Sequence, residues 1–177
     1  MCAVDVRPAI ATERLVLRGL VAGDAPQVAE LASDFNVAAM TARIPHPYAL
    51  SDAEWFVGYA QARDPRREAN FAIEHRRFGV IGVLGFDGTD PRRPEVGYWL
   101  GRPFWGRGYA SEALKAAMAW ARADWGKNAV WAGHFADNRA SGGVLVKAGF
   151  LYTGDVETRH SVARGEDVPT RMMVWLA

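Results

Sequence analysis

Cysteine is almost missing from this chain. The single Cys2 lies near the N-terminus, which leaves no internal disulfide and no cysteine-based metal centre, and suits a reducing compartment. Long apolar runs are missing too: no stretch approaches the roughly 18 residues that a membrane helix needs. Met1 to Ile10 carries Asp5 and Arg7 where a secretory leader would be apolar, so the cytoplasm is the expected location, with no membrane partner. Neither sign of charge is in excess. A net charge of +1 and a pI near 7.9 give no electrostatic ground for a nucleic-acid partner. The four histidines, His46, His75, His134 and His160, show no ligand spacing, so no metal is expected. Repeats, linkers and low-complexity segments are also lacking. What remains is 177 residues at 50% hydrophobic content, enough for one well-buried domain spanning 1–177.

The most informative stretch is Glu95 to Ser111, EVGYWLGRPFWGRGYAS. Its first six residues are rich in Val96, Tyr98 and Trp99 between Pro94 and Gly101, and read as a strand. From Ala110 to Ala123, Leu114, Ala117, Met118 and Ala121 recur with helical spacing. Between the two lies a turn containing Gly101, Pro103, Gly106 and Gly108. A strand feeding a glycine-rich turn into a helix start gathers free backbone N–H groups and the positive end of the helix dipole, which suits phosphate. Two phosphate loops fail on spacing. No Gly-Lys-Ser/Thr ending exists for a Walker loop, and Ser111 stands where a dinucleotide fingerprint starting at Gly106 needs glycine or alanine.

Trp105-Gly106-Arg107-Gly108-Tyr109-Ala110 instead resembles the pyrophosphate loop Q/R-x-x-G-x-G/A of the GNAT superfamily of acetyl-CoA-dependent N-acetyltransferases, with Trp105 in place of the usual Gln or Arg. The stretch GYWLGRPFWGRGYASEAL, followed by Asn138-Arg139-Ala140-Ser141 and Lys147-Ala148-Gly149-Phe150, is similar to the RimJ/RimL-like branch, as is the opening Thr12-Glu13-Arg14-Leu15. Members of that branch acetylate the N-terminal amine of ribosomal proteins.

Along the chain, strands are predicted at Thr12–Arg18, Asn70–Glu74, Val80–Asp87, Glu95–Leu100, Ala129–His134, Leu151–Val156 and Thr170–Leu176, with a polar excursion from Glu157 to Pro169. Helices are predicted from Asp24 to Ser33, over Asn36–Ala42, from a capping box at Ser51-Asp52-Ala53-Glu54 to Arg63, over Ala110–Ala123, and from Ser141 to Ala148. Gly82 and Gly85 inside a strand predict a bulge or a close backbone approach. The expected fold is α/β: a single GNAT-like domain whose mixed, mostly antiparallel sheet has six to seven strands, a central parallel βαβ unit and helices on both faces.

The resemblance implies acetyl-CoA as cofactor and direct attack of a primary amine on its thioester in a ternary complex. Backbone N–H groups of Arg107, Gly108, Tyr109, Ala110 and Ser111 would hold the pyrophosphate, with charge from Arg107 or Arg102 and a hydroxyl from Ser111. Main-chain groups of Trp99 and Leu100 would pair with the pantetheine arm, Asn138 would bond its amide region, and Ser141 would lie near the sulfur. Glu95 is the first candidate base and His134 the second. The family's usual tyrosine acid is missing, because Leu145 stands at its place, and Ser141 is the substitute donor. At pH 7.5 an α-amine is roughly a quarter to two fifths neutral and a lysine only about 0.1%, so an N-terminal acceptor hardly needs a base. A small-molecule amine (antibiotic, polyamine or amino acid) and a non-catalytic acyl-CoA sensor remain the alternatives. Seven tryptophans leave apolar surface that a homodimer would cover.

Overall fold

The computed structural model describes residues 9–177, so Cys2 lies outside the described residues. The chain opens with strands β1 (Ile10–Ala11) and β2 (Leu15–Gly19), then helices α1 (Ala25–Ala32), α2 (Phe35–Ala38) and α3 (Leu50–Ala62). Strands β3 (Glu68–His75), β4 (Gly79–Asp87) and β5 (Glu95–Leu100) precede helix α4 (Tyr109–Ala123), strand β6 (Ala129–Phe135) and helix α5 (Arg139–Lys147). A long final hairpin, β7 (Leu151–Ser161) and β8 (Glu166–Leu176), completes the chain. All eight strands join one open sheet in the order β1-β2-β3-β4-β5-β6-β8-β7, and every neighbouring pair is antiparallel except β5 with β6.

Strand alternation sends successive side chains to opposite faces, and the sheet carries a core on each. On one face Phe71, Ile73, Leu84, Phe86 and Val96 pack against the stripe Leu114, Ala117, Met118 and Ala121 of α4 and against Leu145 of α5. On the other, Ala72, Val80 and Val83 meet Val28 of α1 and Val57 of α3. Helices therefore cover both faces, as expected.

Three local expectations change. The residues from Glu157 to Pro169, read as a polar excursion, are mostly strand: β7 continues to Ser161 and β8 starts at Glu166. Alternating Glu157 and Arg159 belong to a strand whose polar side chains meet Arg93 and Glu95, so low hydrophobicity marked an edge, not a loop. These extensions add no strand; the short β1 brings the sheet to eight instead of six or seven. Helix α3 begins at Leu50 with Ala49 as its N-cap, two residues ahead of the predicted box at Ser51: the Ala49 N–H donates to Asp52 Oδ2 at 2.7 Å, so Asp52 caps from inside the first turn. The short α2 ends at Ala38, well before Ala42.

The glycines of β4 behave as anticipated. Ile73 pairs with Gly82 and Glu74 with Val80, which leaves Ile81 as an extra residue, a bulge beside Gly82. A side chain at position 82 would sit 2.2 Å from the Trp99 carbonyl oxygen, a contact only glycine avoids.

Candidate active site

The site begins where β5 and β6 part. Their register holds a single pair, Glu95 with Trp131, and the Trp131 N–H donates to the Pro94 carbonyl at 2.8 Å. Beyond that point the strands separate into a wedge. The wedge opens into a cleft of about 1830 Å³ whose walls come from β5, β6, the loop before α4 and the segment between α2 and α3.

Backbone alternation decides which groups of β5 face the gap. Pro94 C=O points to β6, while the Gly101 N–H donates to Ile81 of β4 at 2.8 Å. Along an antiparallel strand such groups alternate, so Val96, Tyr98 and Leu100 present main-chain groups to the wedge, whereas Glu95, Gly97 and Trp99 bond to β4. Trp99 thus lines the cleft through its side chain and not through the main-chain bonds expected of it. The Leu100 carbonyl is already taken: Trp105 Nε1 donates to it at 2.8 Å. Trp105, the departure from the family loop, is therefore a brace between the loop and the end of β5.

At the top of the wedge, Gly106 and Gly108 adopt φ of 70° and 80°, a left-handed backbone that glycine reaches without strain. Helix α4 then starts at Tyr109, and its first intrahelical bond runs from the Glu112 N–H to the Gly108 carbonyl. The N–H groups of Tyr109, Ala110 and Ser111 are consequently left without helical acceptors at the positive end of the helix. Gly106, Gly108, Tyr109, Ala110 and Ser111 all line the cleft. These residues fit a pyrophosphate. Arg102 and Arg107 do not line it: Arg102 lies 3.9 Å from Asp34, and the Arg107 carbonyl accepts from Arg14 on the far side of the loop.

Lower down, Asn138 caps α5, its Oδ1 accepting from the Ser141 N–H at 3.2 Å, so its amide nitrogen is left for another acceptor. Ser141 Oγ lies 2.9 Å from Tyr98 Oη. Burial pushes the Tyr98 phenol up to about 12, against a smaller opposing pull from Ser141, which keeps it a neutral donor at any physiological pH. Sequence reasoning missed Tyr98 because a tyrosine in a strand looks like packing. Its signal was parity: it shares the gap-facing backbone set with Leu100.

Both base candidates are engaged. Arg159 of β7 grips the two carboxylate oxygens of Glu95, one of them at 2.9 Å, and the Glu95 contact is the chief reason its guanidinium is held above the usual range. At position 133 a side chain would crowd Thr170 and Met172, so glycine leaves that pair undisturbed. His134 is buried, with Nδ1 2.8 Å from the Phe135 carbonyl and Nε2 3.0 Å from Tyr152 Oη. A carbonyl only accepts, so Nδ1 carries a proton, and Nε2 shares a hydrogen bond with the Tyr152 hydroxyl.

The opposite half of the cleft has a different character. The register places Glu68, Asp87 and Glu95 side by side across three strands, and beside them Asn70, Gly85 and Gly97. The carboxylates form a row along one edge of a floor that lacks side chains at its two glycines. Glu68 accepts from Tyr59 Oη at 3.0 Å, and Asp87 lies 3.6 Å from Arg43. Tyr48, Trp55, Phe56 and Tyr59 form the rim. Among the described residues no helix is long and apolar enough to cross a membrane.

Residues 14–151 match the acetyltransferase (GNAT) domain family. The chain is 28% identical over 157 residues to the uncharacterized N-acetyltransferase YoaA of Bacillus subtilis (strain 168), covering 83% of this chain and 85% of that one. Among solved structures, the ribosomal-protein α-N-acetyltransferase RimL in complex with coenzyme A superposes with a TM-score of 0.82 at 20% identity, over 96% of this chain and 98% of that one. The spermidine N-acetyltransferase of Vibrio cholerae, in complex with CoA and spermine, gives 0.77 at 17%, over 93% and 96%. The chain belongs to the GNAT acetyltransferase family, with acetyl-CoA as its acetyl donor.

Proposed function

We propose that this enzyme acetylates the N-terminal α-amine of a protein, such as a ribosomal protein, in the manner of the RimJ/RimL-like branch. The observation that carries the reading is the wedge itself: one continuous cleft holds the loop of unpaired N–H groups at one end and an open, aromatic-rimmed groove at the other. An open groove suits a chain terminus better than a closed pocket would.

Acetyl-CoA supplies the thioester carbonyl. Gly108 to Ser111 hold its pyrophosphate by backbone N–H groups, and the main chain of Tyr98 and the N–H of Leu100, which face the gap, pair with the pantetheine arm. The amine enters over Gly97, roughly a quarter to two fifths of it already neutral at pH 7.5. As the N–C bond forms and the C–S bond breaks, the amine's proton passes through water to Glu95, whose oxygens keep lone pairs beyond those bonded to Arg159. Ser141, oriented by Tyr98, passes a proton to the departing thiolate and recovers one from water in the open cleft, so that no alkoxide is left behind. His134 holds Tyr152 in this reading and is given no proton-transfer role.

The carboxylate row Glu68-Asp87-Glu95 favours a second reading, a small amine carrying more than one positive charge. Thiol release from acetyl-CoA across N-terminal peptides, lysine-side-chain peptides, polyamines, aminoglycosides and free amino acids separates the two. Turnover confined to α-amine peptides supports the first, turnover confined to polycations replaces it with the second, and saturable acetyl-CoA binding without any turnover contradicts both in favour of a sensor.

A further inference from the structure

The loop before α4 is held from behind by a residue far away in sequence. Arg14, just ahead of β2, donates from Nη1 to the Arg107 carbonyl at 3.0 Å, and its guanidinium lies over the Tyr109 ring, 4.5 Å from the centroid. The same side chain donates from Nε to Glu112 Oε2 at 2.7 Å, and its backbone N–H donates to Glu112 Oε1 at 2.8 Å. Thr12 Oγ1 adds a third bond to that carboxylate at 2.6 Å. On its other side Tyr109 meets the His75 ring edge-on at 5.1 Å.

We propose that Arg14 is a positioning residue for donor binding: it fixes the Arg107–Gly108 peptide plane so that the Gly108 N–H faces the cleft, and it neutralises Glu112 beside the phosphate site. The inference rests on the reading that this loop holds the pyrophosphate. In a trans peptide the C=O and the following N–H point in opposite directions. Capturing the Arg107 oxygen behind the loop therefore aims the Gly108 hydrogen forward, and Gly108 lines the cleft. Gly108 is the least restrained residue type in the loop, at φ of 80°, so without an external hold its peptide plane is free to rotate. Glu112 lies in the first turn of α4, directly after the N–H groups that would receive an anion, and its carboxylate is held behind the loop by Thr12 and Arg14. Left uncompensated, it would repel a pyrophosphate at short range; paired with Arg14 it does not.

The test compares two donors, acetyl-CoA and S-acetyl-N-acetylcysteamine, which carries the same thioester and no pyrophosphate. The quantity read is the ratio of kcat/KM for the two, in the wild type, Arg14→Ala and Arg14→Lys, with CoA affinity by calorimetry alongside. The expected result is a large wild-type preference for acetyl-CoA, a fall in that ratio of about tenfold in Arg14→Ala, and a smaller fall in Arg14→Lys, which keeps a charge but loses the fork. The tenfold loss should appear in KM and CoA affinity with kcat at saturating donor little altered. An equal fall with both donors means that Arg14 only supports the fold, and overturns the proposal, as does an unchanged ratio. A wild type without preference for acetyl-CoA overturns the reading of the loop itself, a failure distinct from that of Arg14. Should Arg14→Ala not fold, Arg14→Lys and calorimetry carry the same comparison.

Discussion

The two halves of the cleft are built from different material. Around Gly106 to Ser111 and along the gap-facing edge of β5, the groups on offer are backbone amides and carbonyls, placed by two left-handed glycines and a helix start. Around Glu68, Asp87 and Glu95 they are side chains, brought together only by the register of three strands and balanced by Tyr59, Arg43 and Arg159. A backbone site tolerates almost any side chain that keeps its shape, which suits one invariant ligand. A side-chain site changes with each substitution, which suits the choice of an acceptor in the function proposed above.

Substitutions that disturb one half and spare the other sharpen this contrast. The largest effect belongs to Gly108→Val. A β-branched residue at φ of 80° costs on the order of 1–3 kcal/mol and turns the peptide away, so CoA affinity by calorimetry should fall roughly ten- to hundredfold. Ser141→Ala should lower kcat about tenfold, less than the roughly hundredfold or more usual for a lost proton donor because a thiol leaves readily, with CoA affinity held; rapid-quench turnover reads this. In Arg159→Met, Glu95 loses its guanidinium, and denaturant unfolding should show a loss of about 1.5–3 kcal/mol that Glu95→Gln in the same chain partly restores.

Glu112 offers a pH effect of known sign. Burial would raise its carboxyl, but hydrogen bonds from Thr12 and Arg14 outweigh that and hold it below the usual range. Its folded value is therefore depressed, so its contribution is complete above the ordinary carboxylate range and disappears as pH falls through the lowered native value. Unfolding curves of wild type and Glu112→Gln should differ at pH 7 and converge towards acid; a gap that widened on acidification would contradict the assignment. The smallest change expected is from Trp55→Ala at the rim, where the side chain is 68% exposed: a few-fold rise in acceptor KM with stability and CoA affinity unmoved.

Legibility in the sequence followed the same division. The spacing of Gly106, Gly108 and the α4 stripe identified the loop and helix, because their pattern is local and repeats every turn. The bulge in β4 was foreshadowed by Gly82 for the same reason. Arg159 was lost in a segment that looked like loop, since an edge strand lined with charges lacks the apolar alternation by which strands are recognised. The row Glu68-Asp87-Glu95 joins residues on three strands, and only register brings them together. Arg14 stood in view within its motif, but its bond to the Arg107 carbonyl spans 93 positions, and nothing in the sequence announces it.

The central claim is that the donor occupies the wedge between β5 and β6 with its pyrophosphate on the loop before α4. Amide hydrogen exchange with and without CoA tests it most directly, since it reports on the backbone groups concerned. Bound CoA should slow exchange at Gly108 to Ser111 and at Tyr98 and Leu100, with the amides of β7 unchanged. Protection that skips the loop and the edge of β5, or that appears only along β7, would contradict it.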